Sequence, residues 1–232
     1  MTGENNWFET DKGQMLAAES VSACAPWLWP LCGHNALVLQ PCAQGLALPA
    51  LQCAPVYQLQ RARGRFYGDI ITEDEPLPLV NECMALVLAA FVVETATDPG
   101  LLIAECARML VPEGHFVILA LNPFAATRLS GGWSGMRLQT ATAWSAMLAE
   151  AGLELIRHER LGKARPRALC SVNFLLLRKR KAALLREYRQ RPRLLADAFV
   201  AGFHVEQKQN NPLDAERKPA DKINDTDKIA RT

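Results

Sequence analysis

The clearest feature of the hydrophobic pattern is the run MALVLAA at residues 84–90, where no position is polar. A strand covered on both faces needs apolar side chains in both directions, so this run predicts an inner strand of a parallel sheet. A helical pattern follows, with Thr97 or Asp98 as its cap and Pro99 in its first turn. After the Pro-Glu-Gly turn at 112–114, a second apolar run, HFVILAL, spans residues 115–121. The order predicts a strand–helix–strand unit.

Shorter patterns extend this unit in both directions. They predict a partly helical segment within residues 7–31, strands at 35–40, 56–60, 65–72, 153–157 and 172–177, and helices at 46–53, 140–151 and 179–203. This alternation favours an α/β fold with a doubly wound, Rossmann-like sheet. In such a sheet a ligand binds at the carboxyl ends of the central strands.

The same patterns predict four parts of the chain. Residues 1–34 form an N-terminal helical segment, and residues 35–178 form the main α/β domain. Residues 179–206 form a basic helical extension. Residues 207–232 are polar and almost without aliphatic side chains, which predicts a disordered tail.

Charge is distributed unevenly, although the net charge is only +2. Residues 1–156 carry 7 Lys or Arg against 15 Asp or Glu, whereas residues 157–193 carry 13 against 2. This basic block is typical either of a solvated face or of a surface for an acidic protein or nucleic-acid partner. Because only Phe174 and Tyr188 could stack on bases there, we favour the solvated face.

Seven cysteines without a Cys-x-x-Cys pair indicate packed, reduced thiols and no metal site. No apolar run approaches the roughly 18 residues of a membrane span. The N-terminus has neither the basic start nor the apolar stretch of a secretory signal. We therefore expect a cytoplasmic protein.

The central unit carries a family resemblance. Leu77-Pro78-Leu79, the run ALVLAAFVVE, Asp98-Pro99, and the run LVPEG before FVIL are similar to the class I S-adenosylmethionine (SAM) dependent methyltransferases of the type 11 group. Two further strings resemble a bacterial subgroup of predicted methyltransferases: Trp7-Phe8-x-Thr10-x-x-Gly13-Gln14 and Asn122-Pro123-Phe124. The resemblance implies a three-layer α/β/α fold with a seven-stranded sheet whose last strand is antiparallel. It also implies SAM as the cofactor.

The resemblance assigns the cofactor-binding positions, several of which depart from the family pattern. The loop after the first strand reads QPCAQG at 40–45, with one glycine where the family has several, so the glycine-rich loop is degenerate. The second strand ends without the usual carboxylate for the ribose. The cofactor-binding candidates are Gln40, Gln44, Gly45, Gln60, Asp69, Asp74, Ala89 and Phe91.

Two functions stay open on the sequence. One is a SAM-dependent methyltransferase of unknown substrate. The alternative is a catalytically inactive pseudo-methyltransferase that serves as a binding or scaffold protein through the basic 157–193 region. No catalytic residue stands out, since methyl transfer depends largely on positioning. We interpret Asn122-Pro123-Phe124 as a structural turn, and the loop around Trp133 as a linker or a lid.

Overall fold

A mixed sheet of eight strands organises the part of the chain that the structure describes. The computed structural model describes residues 7–42, 46–62, 64–69, 72–73, 77–125, 128, 133, 135–163 and 166–180. The strands are β1 (Cys32–Gln40), β2 (Gln52–Ala62), β3 (Arg65–Gly68), β4 (Thr72–Glu73), β5 (Met84–Ala90), β6 (Leu110–Leu121), β7 (Leu153–Leu161) and β8 (Val172–Lys179). Their order across the sheet is β4-β3-β2-β1-β5-β6-β8-β7.

Strand direction divides this sheet into a parallel centre and antiparallel flanks. β2, β1, β5 and β6 run parallel to one another. β3 is antiparallel to β2, and the last strand, β8, is antiparallel to both β6 and β7. The predicted doubly wound fold with an antiparallel last strand is confirmed. The described residues hold eight strands, because the strand predicted at 65–72 is divided into β3 and the two-residue β4 at one edge.

Three α-helices lie within the described residues: α1 (Asp11–Leu28), α2 (Pro99–Met109) and α3 (Ala141–Glu150). Each begins at a side-chain cap. The Thr10 and Thr140 hydroxyls accept hydrogen bonds from Gly13 N and Ala143 N. The Asp98 carboxylate accepts from Gly100 N and Leu101 N, so Asp98 is the cap of α2.

The helices cover both faces of the sheet, which gives the predicted three layers. α1 packs on one face in a cluster that includes Leu86 and Leu88 of β5. α2 and α3 pack on the other face with Val87 and Ala89. Since alternate residues of β5 face opposite layers, its wholly apolar sequence follows from its place in the centre.

One predicted helix is wrong. Residues 46–51 form an irregular connection, and β2 begins at Gln52. Pro49 explains the difference, because it removes a backbone donor and restricts Leu48 to extended conformations. The crossing from β1 to β2 therefore has no helix within its described residues.

The strand predicted at 65–72 is instead a hairpin, in which β3 folds back against the end of β2. Gly68, at φ 135°, allows the close approach, because a Cβ there would lie 2.2 Å from Gln58 O. β6 begins earlier than predicted, at Leu110. A register shift against β5 accommodates residues 112–114 inside this strand.

The chain divides into two units, residues 1–202 and 203–232. Every described residue belongs to the first unit. The predicted helix at 179–203 lies outside the described residues from residue 181 onward, and the predicted tail lies wholly outside them. Lys179 itself ends β8, so this strand crosses the predicted boundary at 178.

All seven cysteines are free thiols. Cys32, the first residue of β1, is exposed, Cys83 is half-buried, and the rest are buried. The described residues hold no group of His, Cys, Asp or Glu arranged to bind a metal. None of their helices is long and apolar enough to cross a membrane.

Candidate functional site

The chain changes direction across the sheet at β1, whose neighbours are β2 on one side and β5 on the other. This arrangement opens a crevice at the carboxyl ends of the central strands. Gln40 lies opposite Gln60, and Leu39 lies opposite Ala89. Phe91 follows β5 directly. The structure therefore brings four of the cofactor-binding candidates to one edge of the sheet.

Gln40 holds the start of the loop that should receive the cofactor. The residue is buried. Its Nε2 donates to Gln58 Oε1 at 3.1 Å, and its Oε1 accepts a hydrogen bond from Leu46 N. Both ends of the amide are thus used within the protein. Gln40 fixes where the connection to β2 begins.

Asp69 is part of the hairpin on the same side of the crevice. Its Oδ2 accepts from Gln58 N at 2.8 Å, and its own backbone N–H donates to Gln58 O at 3.3 Å. The carboxylate therefore pins the hairpin to β2. Gln44, Gly45 and Asp74 lie outside the described residues.

Phe91 lies in a strained backbone conformation at the carboxyl end of β5. It is fully buried with φ 55°, a value that a bulky side chain rarely adopts. Its N–H donates to Leu119 O at 2.8 Å, and its ring lies 5.0 Å from that of Phe8. Strain of this kind clusters at functional sites, where the surrounding structure holds it in place.

Aromatic side chains from distant parts of the chain gather beside Phe91. The Trp7 ring lies 5.2 Å from the Phe8 ring and 5.9 Å from the Trp133 ring. Gly13 of α1 makes this packing possible, because a Cβ there would lie 2.3 Å from Trp7 O. Trp7 and Phe8, from the string that resembles a methyltransferase subgroup, thus lie beside Trp133, from the loop predicted to be a linker or a lid. We call Trp7, Phe8, Phe91 and Trp133 the aromatic cluster.

Glu94 is a candidate functional residue that the sequence patterns did not single out. It lies in the short 3₁₀ turn Val93–Thr95 after β5 and is 2% exposed. One carboxylate oxygen accepts a hydrogen bond from Leu121 N, at the end of β6. The other, Oε2, is buried and has no hydrogen-bond partner among the described residues. Burial raises the pKa of this carboxyl to about 7.

One signal in the sequence could have identified Glu94. It ends the run ALVLAAFVVE as the one ionisable group directly after the inner strand. A carboxyl group at that place either is buried at the carboxyl end of the sheet or turns away from it into solvent.

Asn122 has a structural role, as predicted. Its Nδ2 donates to Ala168 O at 2.9 Å and to Cys170 O at 2.8 Å, and its Oδ1 accepts from Phe124 N at 3.1 Å. The side chain joins the end of β6 to the segment before β8. This use of the whole amide supports the interpretation as a turn.

The described part of the basic block is largely paired with carboxylates. Arg178 and Arg180 both contact Glu154, and Arg157 contacts Glu159. Lys163 and Lys179 lie 3.5 Å and 3.4 Å from Glu19 and Glu82. These pairs fit the solvated face that we favoured.

The comparison with known protein families finds a match in the part of the chain that contains much of this site. Residues 42–118 match the sequence model of a family described as a methyltransferase domain of the type 11 group. The resemblance to the type 11 methyltransferases is confirmed over this segment. The methyltransferase match begins at the loop after β1 and ends inside β6. No curated protein matches the chain by sequence.

Solved structures share the methyltransferase fold. A chain from the complex between the Haloferax volcanii Trm112 methyltransferase activator and a methyltransferase matches with a TM-score of 0.57 and 14% identity, covering 78% of this chain and 100% of that one. A SAM-dependent methyltransferase from Aquifex aeolicus matches with a TM-score of 0.53 and 12% identity, covering 72% and 93%. At these identities the likeness concerns the fold.

Among the described polar candidates, Gln60 is the one whose position and hydrogen-bonding capacity fit SAM, because the Gln40 amide and the Asp69 carboxylate are used within the protein. Gln60 lies near the carboxyl end of β2 and is half-buried, and its amide both donates and accepts, as ribose hydroxyls require. The described end of the crevice offers neutral amides where the family pattern has carboxylates. This difference predicts a weaker cofactor contact, because hydrogen bonds to charged groups are the stronger ones.

Proposed function

We propose that this protein is a SAM-dependent methyltransferase of unknown substrate. The observation that carries the proposal is the match at residues 42–118, because it covers β2, β5 and most of β6, which are three of the four parallel strands of a doubly wound sheet. SAM supplies an activated methyl group on a sulfonium centre when it is bound. The chain's own part is to bind, orient and exclude water.

Gln60 is the proposed partner of the ribose hydroxyls, and Gln40 orients the loop that leads to Leu46. Ala89 and Phe91 form the wall contributed by β5. Asp69 supports this arrangement indirectly by fixing β2 through Gln58 N. Gln44, Gly45 and Asp74 stay predicted contacts.

Calorimetric titration with SAM tests the proposal. We expect a dissociation constant on the order of 100 µM, or about −5.5 kcal/mol, because a neutral amide replaces the family's ribose carboxylate. Gln60→Glu should tighten binding by about five- to tenfold, since charge-assisted hydrogen bonds are stronger. Gln52→Glu is the matched control, because it places the same charge at the opposite end of β2. Absence of binding by both the wild type and Gln60→Glu would contradict the proposal.

The second candidate function is a methyltransferase-like scaffold without catalysis. The observation that favours it is the internal use of Gln40, whose amide is bonded to Gln58 and Leu46. A partner of acidic protein or nucleic acid at the 157–193 region belongs to this alternative. Affinity for nucleic acid should then fall steeply with salt, whereas a flat response would exclude it.

A cytoplasmic location also stays part of the proposal. Its support is the set of seven free thiols, which is typical of proteins kept in a reducing compartment. Localisation of the tagged full-length chain by microscopy tests it.

A further inference from the structure

We propose that Glu94 contacts the methyl acceptor and takes its proton, an inference that rests on the proposed function. The acceptor that a carboxylate base selects is a compound with an N–H or O–H nucleophile. The inference begins with where Glu94 lies. Its turn follows β5 and its carboxylate binds Leu121 N, so the group lies between the carboxyl ends of two central strands.

Three hydrogen bonds fix this residue, one to its carboxylate and two to the backbone of its turn. Oε1 is fixed by Leu121 N, and the Glu94 carbonyl accepts from Arg137 N at 2.8 Å. The turn itself is closed by Thr95 N, which donates to Val92 O at 3.2 Å. Oε2 alone has no partner among the described residues, although it is buried. A buried oxygen of this kind needs an explanation, and a bound nucleophile supplies one.

Charged neighbours do not neutralise the group. On the elements around it, Arg137 donates to Thr97 O at 2.6 Å and Arg128 donates to Pro123 O at 3.1 Å. The Asp98 carboxylate accepts from Gly100 N at 2.9 Å. These bonds direct both arginine side chains to carbonyl oxygens, and none of the three charged groups is among the causes of the pKa shift of Glu94. Burial also raises its pKa to about 7, which suits a base that works near neutral pH.

The aromatic cluster shares an apolar core with the residue that holds Glu94. Leu121, which donates to Glu94, packs in the same apolar cluster as Phe8, Phe91 and Trp133. The Trp133 Nε1 is a second buried polar atom without a hydrogen-bond partner among the described residues. Phe8, Phe91 and Trp133 are themselves buried, so they form apolar surroundings at this end of the sheet, and the carboxylate selects a group that carries a proton.

The proposed step balances as follows. The lone pair of the acceptor nitrogen or oxygen forms the new bond to the methyl carbon of the sulfonium co-reactant. The electron pair of the broken carbon–sulfur bond stays on sulfur, and the acceptor proton moves to Glu94 Oε2. Glu94 later releases this proton to water.

The test compares the wild type with Glu94→Gln, which keeps an oxygen for Leu121 N and removes the base. Transfer of tritium from [methyl-³H]SAM to a small-molecule extract of the cells that naturally produce the protein measures activity. We expect Glu94→Gln to lose about 10²- to 10⁴-fold. Wild-type transfer should rise with pH to a plateau above about 7, because the base must be ionised. Glu94→Asp should keep the pH profile at a reduced rate.

Two further measurements distinguish a failure of the Glu94 role from a failure of the methyltransferase proposal. Calorimetric SAM affinity should be equal in the wild type, Glu94→Gln and the exposed control Glu19→Gln. Isotope-edited infrared spectra should show a protonated carboxyl band in the wild type that is absent in Glu94→Gln and disappears as the pH rises through about 7.

Equal transfer by the wild type and Glu94→Gln, or a missing carboxyl band below that pH, would overturn the role of Glu94 alone. SAM binding without transfer by the wild type would overturn the methyltransferase proposal together with this inference.

Discussion

The two halves of the sheet are built by different rules. From β5 to β7 the chain follows the regular plan, in which a capped helix leads to each next strand, and β8 then returns antiparallel beside β7. From β1 to β4 the connections are the irregular segment at residues 46–51 and a hairpin. The half from β1 to β4 contains most of the predicted cofactor contacts, and the half from β5 to β8 contains Ala89, Phe91 and Glu94. The comparison teaches that the regular half supplies the rigid frame, whereas side-chain hydrogen bonds hold the cofactor half in shape.

The largest expected effect compares two fully buried phenylalanines, one in each half. Phe174→Ala in β8 should cost about 3–5 kcal/mol of unfolding free energy, because strands on both sides hold the cavity open. Phe66→Ala in the hairpin should cost at least about 1 kcal/mol less, since the four-residue β3 can collapse into the space. Urea unfolding measures both. Equal losses would show that the two halves are equally rigid.

The pH dependence of stability tests Glu94 in the folded frame. Its folded pKa of about 7 lies above the ordinary value of 4.5, so its contribution to stability is present below 4.5 and is lost as the pH rises through 7. The full loss is on the order of 3 kcal/mol. Unfolding free energies of the wild type and Glu94→Gln should therefore diverge between those pH values, with the variant favoured at the higher one. Parallel curves would contradict the burial of an ionisable carboxyl.

The Gln40 contacts test how the cofactor half is held. Gln40→Ala leaves Leu46 N and Gln58 Oε1 without their partner and should cost about 1–3 kcal/mol. Gln58→Ala removes an exposed side chain and only one of these bonds, so less than about 1 kcal/mol is expected. Chemical denaturation distinguishes the two. A Gln40→Ala variant as stable as the wild type would mean that the loop does not depend on this amide.

The smallest expected effect concerns Glu154 at the far edge of the sheet. The hydrogen bond from Arg180, together with that from Arg178, lowers the pKa of this carboxyl to about 2. Its stabilisation is present above the ordinary value of 4.5 and is lost as the pH falls through 2. Because the pair is partly exposed, Glu154→Gln should cost only about 1 kcal/mol at neutral pH. The difference from the wild type should vanish in acid, and thermal unfolding at both pH values checks this.

The regular half could be predicted from the sequence because its signals are redundant. MALVLAA has no polar position, Asp98-Pro99 marks a helix start, and Thr140 caps α3. The hydrophobic period, the helix caps and the segment lengths all predict the same elements in this half. The antiparallel last strand came from the family resemblance and not from periodicity.

The cofactor half was harder because its signals conflict. Residues 46–53 are apolar enough for either a helix or a connection, and Pro49 decides against the helix. The hairpin depends on the close approach at Gly68, which no hydrophobic pattern reveals. Glu94 was missed for a similar reason. Its side-chain hydrogen bond comes from Leu121 N, at the end of another strand, which the local sequence does not reveal.

The exposed thiol of Cys32 is a site for selective chemical labelling of this protein. Cys32 begins β1, whereas Gln40 ends it, so the thiol and the candidate site lie at opposite ends of one strand. A maleimide dye or a surface linker placed there leaves the crevice open, and the buried cysteines would react more slowly. Fluorescence and surface-based binding assays can therefore be set up on the natural chain without mutation.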